Sequence, residues 1–439
     1  MRATHFGARA VSRLGAHVRQ TGPRLRAAIA DGYAKYAVAA ASVLTLLLAI
    51  RVSEIVPGAS AVRPVVVASL ISGYYFLTKT RKDVLLGTLR DPVVVVVALY
   101  GLIAMAGVPF ALMGSLALKN LTAMLFGFIL TISILLMPPT LKALERYTLT
   151  MVGGAMIVSG MWLVIGRAKA GGRLTSSGSY DPNDLASMMC LFLPLALGMI
   201  FRGSIFQRLV GLMSAGIFVV LLVLTSSRGG IIGFAVIMLT FMFVLRPTRA
   251  VVATIFVGPL ILIGFSMTPE SFRKRATSLT NVEDDYNMTL ETGRIAIWKR
   301  GWMHFKGAPL LGVGIGNYSV AEGNFFQSTN KVAAYFTAHN TYIQAFVELG
   351  FFGGCALLWL VYSTVKGTWA ASRSMYNGIP NPAYRPEYIA SMTGYFSCAF
   401  FLSHAFVYLL FAAIGIGIFV RNVQSAAVGA GPPATRPAR

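Results

Sequence analysis

Three residues of this chain place a charge or a titratable ring at the edge of an apolar segment: Arg228, Arg294 and His339. Guanidinium groups bind phosphate oxygens in a bidentate way. Histidine titrates near neutral pH and can therefore accept a proton. If the three residues meet on one side of the protein, they predict a site that binds a diphosphate and moves one proton.

The position of Arg228 strengthens this hypothesis. It lies between two apolar runs with hardly any loop, so its guanidinium must sit at the membrane edge or inside the protein, where a charge is costly and indicates function. A histidine before a helix is more often a cap or an interfacial residue, and that alternative stays open for His339. Asn340 is expected to cap the helix that begins at Thr341 and to help fix His339.

The elements that position these residues are membrane helices. With 56% hydrophobic and only 12% charged residues, and with repeated apolar runs of spanning length, the chain cannot be a soluble globular protein. It is predicted to be an all-α polytopic membrane protein with about twelve helices. The predicted spans are Ala34–Ile50, Val62–Leu77, Pro92–Val108, Leu121–Met137, Thr148–Ile165, Leu185–Phe201, Leu209–Leu224, Ile231–Leu245, Val251–Met267, Thr341–Tyr362, and two more from Tyr388–Val420, divided near Ser403–His404.

Basic residues flank alternate spans and predict the orientation, because basic loops stay in the cytoplasm. With the N-terminus inside, Arg228, Arg294 and His339 all lie outside. The predicted organisation is a basic cytoplasmic segment (1–33), spans 1–9 (34–267), a long outer loop with an amphipathic helix (268–340), spans 10–12 (341–421), and a disordered cytoplasmic tail (422–439).

The amphipathic helix is predicted from aromatic and aliphatic residues at helical spacing: Ile295, Trp298, Trp302 and Phe305. Such a helix lies in the membrane interface. The cations Lys299, Arg300 and Lys306 occupy the rest of its circumference. They could support phosphate binding or anchor lipid headgroups, and both alternatives stay open.

The glycine-rich segment Gly312–Asn317 lacks the preceding strand of a nucleotide-binding loop and is predicted to be a flexible turn. No metal or other cofactor is expected. The first outer loop offers only Glu54, and Asp284-Asp285 has the character of a solvated acidic turn. All three cysteines fall in predicted spans and are expected to be packing residues rather than disulfides or zinc ligands: Cys190, Cys355 and Cys398.

Several motifs, in order, resemble the O-antigen ligase family of bacterial inner membranes. They are Ser227-Arg228-Gly229, Thr292-Gly293-Arg294 with Trp298, the segment from Pro309 to Asn317, and His339-Asn340-Thr341-Tyr342 with Glu348-Leu349-Gly350. The segment Asp181–Ala186 also looks like a family element, so the resemblance covers roughly residues 179–354.

This resemblance implies transfer of an O-antigen polysaccharide from undecaprenyl diphosphate to the lipid A core, at the periplasmic face of the inner membrane. The implied reaction is metal-independent and inverts the anomeric centre. Arg228 and Arg294 would hold the diphosphate, and His339 would act as the base. Asn183, Asn340, Lys299 and Arg300 are candidate supporting residues. The expected partners are the lipid-linked glycan, the lipid A core and membrane lipids, with no nucleic acid.

Other functions stay open. O-antigen polymerases and protein O-oligosaccharyltransferases share parts of the motif set and use the same donor. A lipid-linked glycan transporter would instead show an internal repeat and midplane charges. In this chain the main polar residue predicted to lie deeper in the membrane is His404, which is expected to pack between helices. A structural scaffold would have no need of Arg228.

Overall fold

The computed structural model describes residues 35–51, 64–80, 82–165, 167–169, 173–175, 181–245, 290–373, 375–376, 379–381 and 384–429. Its α-helices, in chain order, are α1 (Lys35–Leu48), α2 (Pro64–Lys79), α3 (Lys82–Leu89), α4 (Pro92–Gly107), α5 (Gly114–Leu135), α6 (Leu141–Ile165), α7 (Pro182–Arg202), α8 (Ile205–Leu224), α9 (Arg228–Val244), α10 (Arg294–Gly307), α11 (Tyr318–Ser328), α12 (Thr341–Ser372), α13 (Pro386–Ala399) and α14 (Tyr408–Gly429).

The remaining regular structure is small. A 3₁₀ turn, Val108–Phe110, follows α4. Strands β1 (Arg167–Lys169) and β2 (Arg173–Thr175) form one antiparallel pair, and β3 (Met375–Tyr376) and β4 (Ile379–Pro380) form another. The fold is therefore all-α in character, as predicted.

Seven helices among the described residues are long and apolar enough to cross a membrane: α4, α5, α6, α7, α8, α12 and α14. Shorter apolar helices coincide with the predicted first, second and eighth spans. The eleventh corresponds to α13, which has 14 residues. The predicted ninth span, Val251–Met267, lies outside the described residues. The chain is an integral membrane protein with multiple spans.

Local sequence explains several helix starts. Asp91 and Asp181 each accept a hydrogen bond from the backbone two residues later, and each is followed by proline. Proline lacks the N–H that would be unsatisfied in the first turn, and its φ suits a helix. Ser204 and Gln207 form a capping box at the start of α8.

Helices α7 and α14 form the centre of the bundle. In their most apolar windows, 83% of α7 residues and 78% of α14 residues are buried. The outer helices instead present large apolar side chains outward, for example Phe243 of α9 at 83% exposure. In water such a surface would be costly, whereas lipid covers it without penalty.

Two features at the C-terminal side bear on the predictions. The stretch Tyr388–Val420 is divided as expected, because residues 400–407 separate α13 from α14. The predicted tail boundary at residue 422 is wrong, since α14 continues to Gly429. Val423 and Gln424 are buried against the bundle, and this packing extends the helix.

Candidate active site

The linker between α13 and α14, residues 400–407, organises one end of the bundle. A Cβ on Gly229 would lie only 3.2 Å from the Cβ of Phe401. The first turn of α9 therefore packs closely on this linker. The guanidinium carbon of Arg294 lies 5.8 Å from the centroid of the Phe401 ring. Phe401 therefore joins the first turn of α9 to the first residue of α10, and cation–π attraction helps hold Arg294 there.

His339 is held by the same linker. Its backbone N–H donates to Ser403 Oγ at 2.9 Å, and its φ of 46° lies in the left-handed region, which is uncommon for residues other than glycine. Asn340 caps α12 by accepting hydrogen bonds from Tyr342 N and Ile343 N, both at 3.0 Å, which confirms its predicted capping role. The His339 ring is half-buried, with Nε2 3.3 Å from Thr337 Oγ1.

A second histidine lies beside this site. His404, expected to be a helix-packing residue, is buried within the linker, with Nε2 2.9 Å from Asp184 Oδ1. Its Nδ1 is 3.3 Å from the Tyr395 hydroxyl, and its backbone N–H donates to Thr341 Oγ1 at 3.0 Å. A polar chain from α7 through the linker to α12 thus fixes the geometry around His339.

Arg228 begins α9, next to the start of α7. Ser227 accepts a hydrogen bond from Gly230 N and caps α9, while its hydroxyl donates to Asn183 Oδ1 at 2.8 Å. Asn183 therefore connects the two helix starts, and its supporting role at the site stays a prediction. Ser226 has a φ of 49°, so the turn before Arg228 contains a left-handed residue, as does the turn before α12.

Four helices begin at this end of the bundle: α7, α9, α10 and α12. The first N–H groups of a helix point along its axis toward its N-terminal end, and the helix dipole places partial positive charge there. Side chains cap α7, α9 and α12, whereas α10 has no side-chain cap. Such termini bind phosphate groups. Together with the guanidinium groups of Arg228 and Arg294, they make this end of the bundle favourable for an anion.

The electrostatic environment of His339 suits a base. Burial lowers its pKa from the usual 6.5, and the positive charge of Arg294 lowers it further. The carboxylates of Asp181 and Asp184 oppose this shift. The net effect leaves the ring neutral at neutral pH, so it can accept a proton, while the nearby carboxylates stabilise the imidazolium once it forms.

Helix α10 is held against the rest of the outer segment by buried contacts. Arg300 is 7% exposed and pairs with Glu322 of α11, with Nη2 2.7 Å from Oε2. Trp298 Nε1 donates to Ala338 O at 3.1 Å and so positions the residue before His339. Lys299, in contrast, is exposed. The buried residues of α10 are Ile297, Arg300 and Gly301.

These contacts show which side of α10 is buried in the protein, while its position in the membrane interface stays a prediction. Ile295 and Trp302, which belong to the predicted apolar stripe, are 37% and 45% exposed. Arg300 was a candidate for substrate support but faces Glu322 in the interior. The local spacing was that of a helix; the packing of α11, a helix that the sequence did not predict, decided which side is buried.

The glycine-rich turn is a turn as predicted, but it is firmly anchored. Gly312, Gly314 and Gly316 all have positive φ values, which favour glycine. The buried carboxylate of Glu348 accepts hydrogen bonds from Gly316 N and, at 3.2 Å, from Tyr318 N. The turn is therefore part of the scaffold that connects α10 and α11 to α12, which kinks at Gly350.

Sequence reasoning brought forward Arg228, Arg294 and His339, and the structure places all three at one end of the bundle. It missed Asp184, Ser403 and the proximity of His404. Asp184 lies in the segment Asp181–Ala186, which resembles an element of the O-antigen ligase family, and this resemblance is the sequence feature that could have indicated it. Within the described residues, no three His, Cys, Asp or Glu side chains are grouped as metal ligands. Glu54 and Asp284-Asp285 lie outside those residues.

The cysteines behave largely as expected. Cys190 and Cys398 are buried, and their thiols lie near backbone carbonyls of α9: Cys190 Sγ is 3.6 Å from Gly230 O, and Cys398 Sγ is 3.3 Å from Gly229 O. Both therefore pack α9 against α7 and α13. Cys355 is exposed on α12, so it is not a packing residue of the bundle interior.

Comparison with protein families finds a match to one segment of the chain. Residues 212–358 match the Wzy_C family model, described as O-antigen ligase. The matched segment contains Arg228, Arg294 and His339, while Asp181–Ala186 and His404 lie beyond its two ends. A comparison with curated proteins finds no match.

Proposed function

We propose that this chain, whose residues 212–358 match the O-antigen ligase family, transfers a polysaccharide from undecaprenyl diphosphate to the lipid A core at the periplasmic face of the inner membrane. The observation that carries this proposal is the linker 400–407, which packs against Arg294, the start of α9 and His339 together. It brings cations suited to a diphosphate next to a neutral histidine suited to deprotonating a sugar hydroxyl.

An apolar cleft next to Arg294 supports a lipid-linked donor. It has a volume of about 530 Å³ and is lined by Ile232 and Val236 of α9, Tyr342 and Val365 of α12, and Thr393, Phe396, Ser397, Phe400 and Phe401 from α13 and the linker. Phe401 also contacts Arg294. A diphosphate at Arg294 would therefore place the attached prenyl chain along a surface of matching chemistry.

The proposed reaction is a direct displacement at the anomeric carbon. His339 removes the proton of an acceptor hydroxyl while that oxygen attacks, and the bond between the anomeric carbon and the diphosphate oxygen breaks with inversion. Undecaprenyl diphosphate leaves with the bonding electrons. Because this group is already activated, stabilising its developing charge with Arg228, Arg294 and the helix N-termini is the main electrostatic requirement.

Asp184 and His404 support this chemistry as positioning residues. The pair fixes the linker, whose Ser403 hydroxyl oxygen accepts a hydrogen bond from the backbone N–H of His339. The carboxylate of Asp184 also stabilises His339 after it has accepted a proton. We therefore place Asp184 and His404 around the base, without direct contact to the donor.

The experiment that tests the proposal is reconstitution of the purified protein in lipid with undecaprenyl diphosphate glycan, with and without the lipid A core acceptor. Glycosylated lipid A core should appear only when the acceptor is present. His339→Gln should lower the transfer rate by ~10²–10⁴ while donor binding persists. The variant Lys142→Gln, at an exposed lysine at the start of α6, serves as the control and should retain most activity.

The same experiment separates the alternatives. A polymerase would lengthen the donor glycan without lipid A core, and a protein O-oligosaccharyltransferase would require a protein acceptor. A transporter would move the donor across the membrane without forming a glycosidic bond. Normal transfer by a His339→Gln protein of normal abundance would refute the base assignment.

A further inference from the structure

A separate cleft lies at the opposite end of the bundle from His339. It is formed by the start of α4 and the later parts of α12 and α14, and its volume is about 680 Å³, which is ample for a small ligand. Arg421 and Val428, which line it, follow Tyr408, the first residue of α14 after the linker, by roughly 20 and 30 Å of helix. The larger of these lengths matches the ~30 Å hydrocarbon layer, so the cleft lies near the second membrane interface.

The charges at the cleft leave a single net positive charge. The charged side chains among its lining residues are Lys366 and Arg421. Arg421 pairs with Asp91 at the start of α4. Lys366 lies over the ring of Tyr362, with Nζ 5.5 Å from the ring centroid, and its side chain is exposed. The cleft is thus suited to one anionic group.

A buried acceptor in the same cleft requires a hydrogen-bond donor. Gln424 lines the cleft and is only 3% exposed, and within the described residues its Oε1 has no hydrogen-bond partner. A buried polar atom without a partner is destabilising and rare. A ligand that carries both an anionic group and a hydroxyl would satisfy Lys366 and Gln424 together.

We propose that this cleft binds the headgroup of phosphatidylglycerol. Its single phosphodiester charge matches the net charge at Lys366, and its glycerol hydroxyls are donors for Gln424 Oε1. Trp359 and Tyr362 line the cleft as well, and such amphipathic rings are typical of the headgroup level. The ammonium of phosphatidylethanolamine would instead be repelled by Lys366, and phosphatidylcholine has no hydroxyl or N–H donor. This inference is independent of the proposed glycosyl transfer.

The test uses the full-length protein, delipidated in detergent and titrated with short-chain phosphatidylglycerol, phosphatidylethanolamine or phosphatidylcholine. Thermal unfolding and lipid adducts in native mass spectrometry are the readouts. Phosphatidylglycerol should raise the unfolding midpoint, and the other two lipids should not. Lys366→Ala should weaken its binding about fivefold, as expected for one basic residue at an anionic lipid. The control Lys142→Ala, an exposed lysine at the start of α6, should bind normally.

A second variant tests the acceptor. Gln424→Leu removes the unpaired oxygen at similar side-chain size, so the lipid-free protein should stay at least as stable as the wild type. Its stabilisation by phosphatidylglycerol should be reduced. Equal stabilisation by all three lipids would overturn the proposal. So would identical phosphatidylglycerol binding by the Lys366→Ala, Lys142→Ala and wild-type proteins, or undiminished binding by Gln424→Leu.

Discussion

Replacing Glu322 by Gln should loosen α10 and thereby displace Arg294. The Glu322 side chain is fully buried and accepts hydrogen bonds from Arg300 Nη2 at 2.7 Å and Nε at 2.9 Å. His304 Nε2 lies 3.1 Å from its other oxygen. Arg300 Nη1 also donates to the carbonyl of Glu291, just before α10, at 2.9 Å. This cluster therefore connects α11 to α10 and to the segment that leads into Arg294.

The magnitude follows from the burial of both partners. Removing one charge of a buried ion pair leaves the other uncompensated and costs ~3–5 kcal/mol. If α10 and α11 open locally, the population of the open state should increase by roughly 10²–10³-fold or more. Backbone hydrogen exchange across α10 and α11 should accelerate by a similar factor, and glycan transfer should fall because Arg294 loses its position.

The matched control is Glu291→Gln. Glu291 pairs with Lys331 at 2.6 Å, but both side chains are about half exposed. Water replaces such a contact easily, so exchange should change little. Equal exchange in Glu322→Gln and wild type would refute the structural role of the cluster. If Arg300→Gln weakened donor binding while α10 exchange stayed normal, Arg300 would instead belong to the substrate site.

The remaining predictions concern the proposed chemistry and topology. Arg228→Lys and Arg294→Lys should each lower the transfer rate by about two to three decades, or ~2–4 kcal/mol, because an ammonium cannot reproduce a bidentate guanidinium; near-normal steady-state rates in both variants would contradict this role. The wild-type transfer rate should fall as pH decreases through the pKa of His339, which lies below 6.5. Because the charge of Arg294 lowers this pKa, Arg294→Gln should move the acidic fall in rate to higher pH. An unchanged acidic fall in the pH–rate profile would exclude electrostatic coupling between Arg294 and His339. Asp184→Asn should lower the rate of glycan transfer without weakening donor binding. Single-turnover kinetics would distinguish a slower chemical step from a loss of donor affinity. Cysteine in place of the exposed Ser328 should react with an impermeant thiol reagent in intact spheroplasts, whereas labelling only after permeabilisation would reverse the topology.

The features that sequence reasoning predicted well depend on local physics. Apolar runs of spanning length predict membrane helices because backbone polar groups in lipid must be satisfied within the helix. The division near Ser403–His404 followed from the length limit of one span. The Asn340 cap and the glycine turn are likewise local, since each depends on the φ, ψ and hydrogen bonds of a few neighbouring residues.

The features that sequence reasoning missed are contacts between distant segments. Asp184 and His404 are 220 residues apart in the chain, and only the packing of α7 against the linker brings them to 2.9 Å. The partner of Arg300 comes from α11, so spacing within α10 could not show that this cation faces inward.

Hydropathy and capping act over a few residues, so the class of protein, most of its spans, and the cationic and titratable residues at helix starts are predictable from local sequence. Which of these residues meet depends on how the helices pack against one another. The sequence does not show whether the side chain of an Arg or His is solvated, ion-paired or in contact with a substrate. Its environment is set by the helices packed around it, as the contrasting positions of Arg294 on Phe401 and Arg300 on Glu322 demonstrate.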